Sequence, residues 1–473
     1  MSAFARWLKK EGTGVMRGIQ TLNQLSRRCY AATRIVPLTE PLGSPKSSKA
    51  IACPPQDVQV SKLPSGLVVA SLENYSPVSK IGVFVKAGSR YEPLENLGVT
   101  HLLRLSGNLT TKGVSAFKIT RGLEVLGSTL SVTSTREHMI YSLDFLRNDF
   151  DAVVEYLADV TTAFEFRPWE VSELTSRVKI EKAVAEQCAQ TSVLEMLHQA
   201  AYKNALSNSL YCPDYRVGKI SGDNMREFVE NNYKSARMAL VGVGIKHSAL
   251  RQVAEQYIDV HHGTGTPGDK AVYRGGELRV QNGDTLSHSL LACEGAASGT
   301  AEANAFSLLQ HLLGVGPQVK RGSGITSKLS QGIAKATTQP FDATAFNISY
   351  SDSGLFGLYT VAQAGSANEV IKAAVAQVDA VAKGAVSEQD LVRAKSQLKT
   401  EYLMVLESSE GLLEEIGAQA SSSGAYSSPD AVAKAIDSVT SSDVINAAKK
   451  FVNSKKTMAS RGNLVNTPYV DEL

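Results

Sequence analysis

The sequence predicts an α+β protein built as an internal duplication, with two homologous halves that each contain a mostly antiparallel sheet packed with helices. An order of strand-like and helical segments that begins at Lys62 recurs from Tyr273, roughly 210 to 220 residues further along. The 473 residues are too many for one hydrophobic core. Between the two runs, residues 261–268 are rich in Gly, Pro and Thr, which is typical of a linker.

In the first half, alternation of apolar and polar residues predicts strands over 130–134 and 139–143, and helical spacing returns over 150–160. A further helix is predicted to begin at Pro168, because proline is favoured in the first turn. The apolar stripe of this helix consists of Val171, Leu174, Val178 and Ala185.

The second half repeats this order. Its predicted elements are a strand over 286–292, a helix over 301–313, a strand pair over 346–361 and helices over 370–381 and 387–406.

The N-terminus has the composition of a mitochondrial transit peptide. Residues 1–34 carry seven basic residues against one acid, without the continuous apolar run of a secretory signal. The segment 28–31 resembles the processing site of mitochondrial precursors, so we expect a presequence over 1–30 and cleavage between Tyr30 and Ala31. A disordered basic tail without a targeting role is the alternative.

The rest of the chain is predicted to have four parts. These parts are a Pro- and Ser-rich arm over 31–56, an N-terminal half over 57–258, a linker over 259–272 and a C-terminal half over 273–473.

Composition excludes several classes of function. The net charge is +3 and the basic residues are scattered, which argues against a nucleic-acid interface. The five cysteines are widely spaced and contain no CxxC pair, so we expect reduced thiols and no haem or iron–sulfur cofactor. No run of 18 apolar residues is present, and any membrane association is expected to come through partner proteins.

A short helix predicted to begin near Gly98 carries the most informative motif. In the zinc-peptidase motif H-x-x-E-H, two His ligands share one helix face and a Glu acts as general base. Here His101 keeps the first ligand position, whereas Arg104 replaces the Glu and Leu105 the second His. Arginine cannot accept a proton from water and leucine has no donor atom, so we expect neither metal binding nor catalysis. An ordinary amphipathic helix with one His is the alternative.

Four other segments support the interpretation as an altered zinc-peptidase motif. Residues 63–70, 82–90, 232–244 and 350–359 are similar to the first hairpin, the turn before the metal helix, the N-Y-x-x-x-R-M strand and the Y-x-D-[ST]-G-L-F-G-x-Y strand pair of one family. The chain therefore resembles the pitrilysin/insulinase-type metallopeptidases, which include the mitochondrial processing peptidase and the core proteins of respiratory complex III. The resemblance covers most of the chain after about residue 57.

The resemblance implies a further site residue. Active family members take a third metal ligand from a Glu, and Glu181 lies at the matching distance of 80 residues beyond His101. Glu181 falls on the predicted apolar stripe, where an unpaired carboxylate would be costly. We expect Arg104 or His101 to pair with it in place of a metal. The alternative is that Glu181 tilts into solvent at the edge of the stripe.

A glycine-rich segment over 313–324 contains Gly314, Gly316, Gly322 and Gly324. It lacks the spacing of a phosphate-binding loop. By position it resembles the glycine-rich loop of the processing peptidase's non-catalytic subunit, but its basic pair, Lys320 and Arg321, would repel Arg-rich presequences. A surface turn without a binding role is the alternative.

Three functions follow from the resemblance. The favoured one is a non-catalytic structural subunit of complex III, peripheral on the matrix side of the inner membrane. The expected partners are core protein 1 as the homologous chain, cytochrome b, cytochrome c1 and the iron–sulfur protein, in a dimeric complex. The second is the non-catalytic, substrate-binding subunit of a processing peptidase. Arg104 and Leu105 argue against the third, an active zinc peptidase.

Overall fold

The computed structural model describes residues 56–258, 262–316 and 327–473. The predicted cleavage site at Tyr30 and Ala31, residues 31–55 of the predicted arm, and the loop residues Gly322 and Gly324 lie outside these ranges.

The first sheet has six strands. They are β1 (Gln59–Lys62), β2 (Val68–Leu72), β3 (Val78–Val85), β4 (Thr129–Ser134), β5 (Met139–Leu146) and β6 (Met238–Val243). Their spatial order is β1-β2-β6-β3-β5-β4. Only β2 and β6 pair in parallel, and every other neighbouring pair in this sheet is antiparallel.

The described residues of the first half contain seven α-helices. They are α1 (Val99–Leu105), α2 (Ala116–Val125), α3 (Phe150–Thr162), α4 (Pro168–Gln187), α5 (Ala189–Ala201), α6 (Gly222–Asn232) and α7 (His247–Gln256). Apolar faces of α1, α3 and α4 form one core with β3 and β5, in which Leu103, Val153 and Leu174 are buried. Pro168 occupies the first turn of α4 as predicted.

The second sheet has five strands. They are β7 (Gly276–Gln281), β8 (Leu286–Glu294), β9 (Phe341–Ser349), β10 (Gly354–Gln363) and β11 (Lys456–Gly462). The helices in the second half of the chain are α8 (Ala301–Leu313), α9 (Lys328–Ala336), α10 (Ala367–Ala382), α11 (Glu388–Glu407), α12 (Ser409–Ser423), α13 (Pro429–Ser438) and α14 (Ser441–Asn453).

The two sheets share one topology, which confirms the predicted α+β duplication. The second sheet has the order β7-β11-β8-β10-β9, which matches β2-β6-β3-β5-β4 of the first sheet strand for strand. The matching outer pair, β7 and β11, is again parallel. The strands β8, β9 and β10 and the helices of the second half lie between these two strands in the chain, so the connection is long, as parallel pairing requires. The first strand, β1, is an additional edge strand of the first sheet.

The halves exchange one helix each. Helix α5 of the first half packs on the second sheet, where Val193 and Leu197 contact Leu290 and Ala459 in a buried cluster. Helix α12 of the second half packs in the same way on the first sheet. There Leu413 and Ile416 are buried with Phe84 and Val241.

The docking of α12 is close enough to require a glycine. A Cβ atom placed on Gly417 would lie 2.2 Å from the ring of Phe84, which is closer than carbon atoms can approach. Separating the halves would therefore expose apolar surface on both sheets and both exchanged helices.

A polar cluster also joins the halves, and it is formed by two of the segments that carry the family resemblance. Arg90 follows β3, and its side chain is 5% exposed. Its Nη1 atom donates to Asp352 Oδ1 at 2.7 Å and to Glu137 Oε1 at 2.8 Å. Its Nη2 atom donates to the carbonyl of Asp269 at 2.7 Å. Burial would raise the pKa of Asp352, but the hydrogen bonds from Arg90 and from the Ala271 amide outweigh it and lower that pKa.

We predict that Asp352→Ala lowers the free energy of unfolding by about 3 kcal/mol, because it leaves the buried Arg90 guanidinium with too few acceptors. Denaturant titration followed by circular dichroism measures this change. Glu124→Ala is the control, since the Glu124–Arg121 pair is exposed on both sides and should contribute less than about 0.5 kcal/mol. Equal effects of the two substitutions would contradict the role given to Asp352.

Candidate functional site

Helix α1 holds the candidate site, and its start depends on Gly98. This residue has a φ of +87°, and a Cβ atom there would lie 2.7 Å from Cys212. Glycine therefore lets the segment around Cys212 pass directly over the helix start. Leu102, Leu103 and Leu105 are buried in the core, and His101 is fully buried beside them.

A buried carboxylate, Glu92, fixes the orientation of α1. It accepts hydrogen bonds from the Gly98 amide at 2.8 Å, the Thr100 amide at 2.9 Å and the Thr100 hydroxyl at 2.5 Å. Burial raises the pKa of Glu92 to about 7, although these hydrogen bonds act in the opposite direction. Glu92 was not among the residues predicted from the sequence; an acidic residue just before a helix start was the available signal.

Glu181 contacts both of its candidate partners. Its Oε2 atom accepts a hydrogen bond from Arg104 Nη2 and lies 3.0 Å from His101 Nε2. The Glu181 side chain is 35% exposed and that of Arg104 is 25% exposed, so the pair is half-buried rather than sealed. Burial alone would raise the pKa of Glu181, but the hydrogen bond with His101 and the charge of Arg104 lower it. The Glu181 carboxylate is therefore ionised, and the charge of Arg104 balances it.

The second nitrogen of His101 determines which tautomer is present. The backbone amide of Cys212 donates to His101 Nδ1 at 3.1 Å, so Nδ1 must be the unprotonated acceptor. The proton then resides on Nε2 and is donated to Glu181. Burial lowers the pKa of His101, which keeps the ring neutral. Its Nε2 atom consequently presents a proton, not a lone pair, to the site.

These residues do not fit a catalytic zinc ion. Such a site needs three protein ligands and an open position for water. His101 and Glu181 are the only donors among the four candidate positions, because Leu105 has none and Arg104 brings a positive charge to the place of the ion. Among the described residues, no group of three His, Cys, Asp or Glu side chains could hold a metal.

Two cavities flank the site. One of about 470 Å³ lies beside the start of α1 and is lined by Glu92, Lys182, Glu195 and Tyr211 among others. The other, of about 380 Å³, is lined by Arg104, Leu105 and Glu181 among others. Cys212 also borders the first cavity, but burial raises the pKa of its thiol to about 11. The thiol is therefore protonated at neutral pH, and the thiolate is the reactive form of cysteine.

The structure describes only the first part of the predicted glycine-rich segment. Gly314 and Gly316 directly follow α8 and are described, whereas Gly322 and Gly324 lie outside the described residues. Within the described part of the chain, no helix is long and apolar enough to span a membrane.

Sequence comparison identifies the family. Residues 68–214 match the insulinase domain of peptidase family M16, and residues 219–398 match the domain described as the peptidase M16 inactive domain. The chain belongs to peptidase family M16. The second M16 match begins before β6, so it includes the last strand of the first sheet as well as most of the second half.

The relatives of this chain include subunits of the cytochrome b-c1 complex and of the mitochondrial processing peptidase. The human mitochondrial cytochrome b-c1 complex subunit 2 is 58% identical over 93% of this chain and 96% of its own length. The mouse subunit 2 is 59% identical over 89% of this chain and 92% of its own. The mitochondrial-processing peptidase subunit alpha of Solanum tuberosum is 32% identical over 93% of this chain and 89% of its own.

We predict a coupling energy of about 1 kcal/mol between Arg104 and Glu181 in a double-mutant cycle with Arg104→Met and Glu181→Gln, because the pair is only partly screened by solvent. Denaturant unfolding of the four proteins measures it. The reference cycle uses Arg251 and Glu255, an exposed pair on α7 that should couple by about 0.3 kcal/mol. A coupling no larger than the reference would show that the charge of Arg104 does not stabilise Glu181.

Proposed function

We propose that this chain is a non-catalytic structural subunit of the mitochondrial cytochrome b-c1 complex, complex III, in the position of subunit 2, also called core protein 2. One observation carries the proposal: identity to the mammalian subunits 2 is nearly twice the identity to the potato processing-peptidase alpha subunit, over a similar share of the chain.

The chemistry of the candidate site supports a non-catalytic role. A peptidase of this family needs a general base and a metal-bound water, and the general-base position is occupied by Arg104. The remaining His101 and Glu181 bind each other and Arg104. In this proposal the site is the degenerate remnant of a metal centre, and its polar contacts now join α1 to α4.

The proposal includes a location and partners. The basic presequence over 1–30 would direct the chain to the mitochondrion, with cleavage between Tyr30 and Ala31. The mature chain would pair with core protein 1 and bind the membrane through cytochrome b, cytochrome c1 and the iron–sulfur protein. The chain would lie on the matrix side of the inner membrane, within a dimeric complex. It would carry no cofactor.

The alternative is a substrate-binding subunit of a processing peptidase, and the similarity to the alpha subunit is what favours it. The glycine-rich segment argues against it, because Lys320 and Arg321 would repel a positively charged presequence.

Native electrophoresis of detergent-solubilised mitochondria, probed with an antibody to this chain, decides between the two. We predict comigration with b- and c-type haem, because a structural subunit is retained in the assembled complex. A haem-free matrix heterodimer that cleaves presequences would contradict the proposal and support the alternative. An antibody to a soluble matrix enzyme is the control, because it marks where matrix proteins migrate.

A further inference from the structure

The second half contains a polar pair at the position equivalent to that of Arg104 and Glu181. Helices α4 and α11 each have 20 residues and are each followed directly by the exchanged helix. Glu181 lies 13 residues after the start of α4 at Pro168, and Glu401 lies 13 residues after the start of α11 at Glu388. The two carboxylates therefore occupy corresponding positions of the duplicated fold.

The partner of Glu401 also corresponds to a residue of the first site. Helix α8 packs against α11 as α1 packs against α4. Arg104 lies three residues before Gly107, and His311 lies three residues before Gly314. His311 Nε2 lies 2.6 Å from Glu401 Oε2. His311 thus takes the place in the second half that Arg104 takes in the first.

The ring of His311 is held in the orientation that a metal ligand needs. Its Nδ1 atom lies 2.8 Å from the carbonyl oxygen of Ser307, which can only accept, so Nδ1 carries a proton. Nε2 is directed at the Glu401 carboxylate. Metal-binding histidines are commonly held in this way, with the far nitrogen donating to a carbonyl. His101 has the opposite arrangement, because its Nδ1 accepts from the Cys212 amide.

Glu401 also differs from Glu181 in its exposure to solvent and in the charged groups around it. The Glu401 side chain is 55% exposed, so its carboxylate is open to water and ions, whereas the His311 side chain is 5% exposed. Within the described residues, His311 is the only ion-pair partner of Glu401, and no guanidinium or ammonium group occupies the place that Arg104 fills in the first half.

We propose that His311 Nε2 and a carboxylate oxygen of Glu401 form a binding site for a zinc-class transition-metal ion, with water as the remaining ligands. The ion replaces the proton between Nε2 and Oε2, and that proton passes to solvent. An imidazole and a carboxylate together suit Zn²⁺ or Cu²⁺ better than Ca²⁺ or Mg²⁺. With two protein ligands, the site is open and binds more weakly than a structural zinc site with four.

Calorimetric titration of the purified full-length chain with Zn²⁺ tests this site. We expect one zinc ion per chain, and at least a tenfold loss of affinity in both His311→Asn and Glu401→Gln. Glu401→Gln changes an exposed side chain, so it should keep the fold even if His311→Asn does not. Glu407→Gln, at an exposed position of the same helix, is the matched control and should bind zinc like the unmodified chain.

An absence of zinc binding, or affinity unchanged in Glu401→Gln, would overturn this inference and leave the proposed function intact. Loss of zinc in His101→Asn or Glu181→Gln instead would place the ion in the first half. That result would contradict both the inference and the non-catalytic assignment of the first site, so the two kinds of failure are distinguishable.

Discussion

The reciprocal exchange of α5 and α12 holds the two halves of the fold together. Each helix buries its apolar face on the sheet of the other half, so neither half can complete its packing alone. Helix α5 follows α4 after the single residue Cys188, and its docking therefore sets where α4 ends. The position of Glu181 opposite α1 is in this sense determined by contacts made in the second half.

At the first site, contacts of Glu181 with His101 and Arg104 stand in the place of metal coordination. A carboxylate facing a buried histidine needs a cation nearby, and Arg104 supplies a permanent one on the side chain that stands in the general-base position. The Cys212 amide then selects the His101 tautomer that donates to Glu181, which removes the lone pair a metal would need. His101, Arg104 and Glu181 therefore satisfy one another's hydrogen bonds and charges.

Much of the fold could be predicted from the sequence, because the periodicity is strong and the duplication repeats it. Strands such as β4 and helices such as α8 lie where alternation and helical spacing placed them. Local patterns could not reveal the helix exchange, since an apolar face does not specify which sheet covers it. They also could not reveal Glu92 or the Cys212 amide: one acts through backbone donors, and the other is itself a backbone group 111 residues from His101.

We propose that this chain contributes its fold, and not the chemistry of its first site, to a respiratory complex. Ubiquinol–cytochrome c reductase activity in cells depleted of the chain, then supplied with Arg104→Met/Glu181→Gln or with Asp352→Ala, tests it most directly. We expect the double substitution to restore activity to the level of the unmodified chain, whereas Asp352→Ala should restore less because it weakens the connection between the halves. Loss of activity in the double variant at normal amounts of assembled complex would show that the first site has a role beyond the fold.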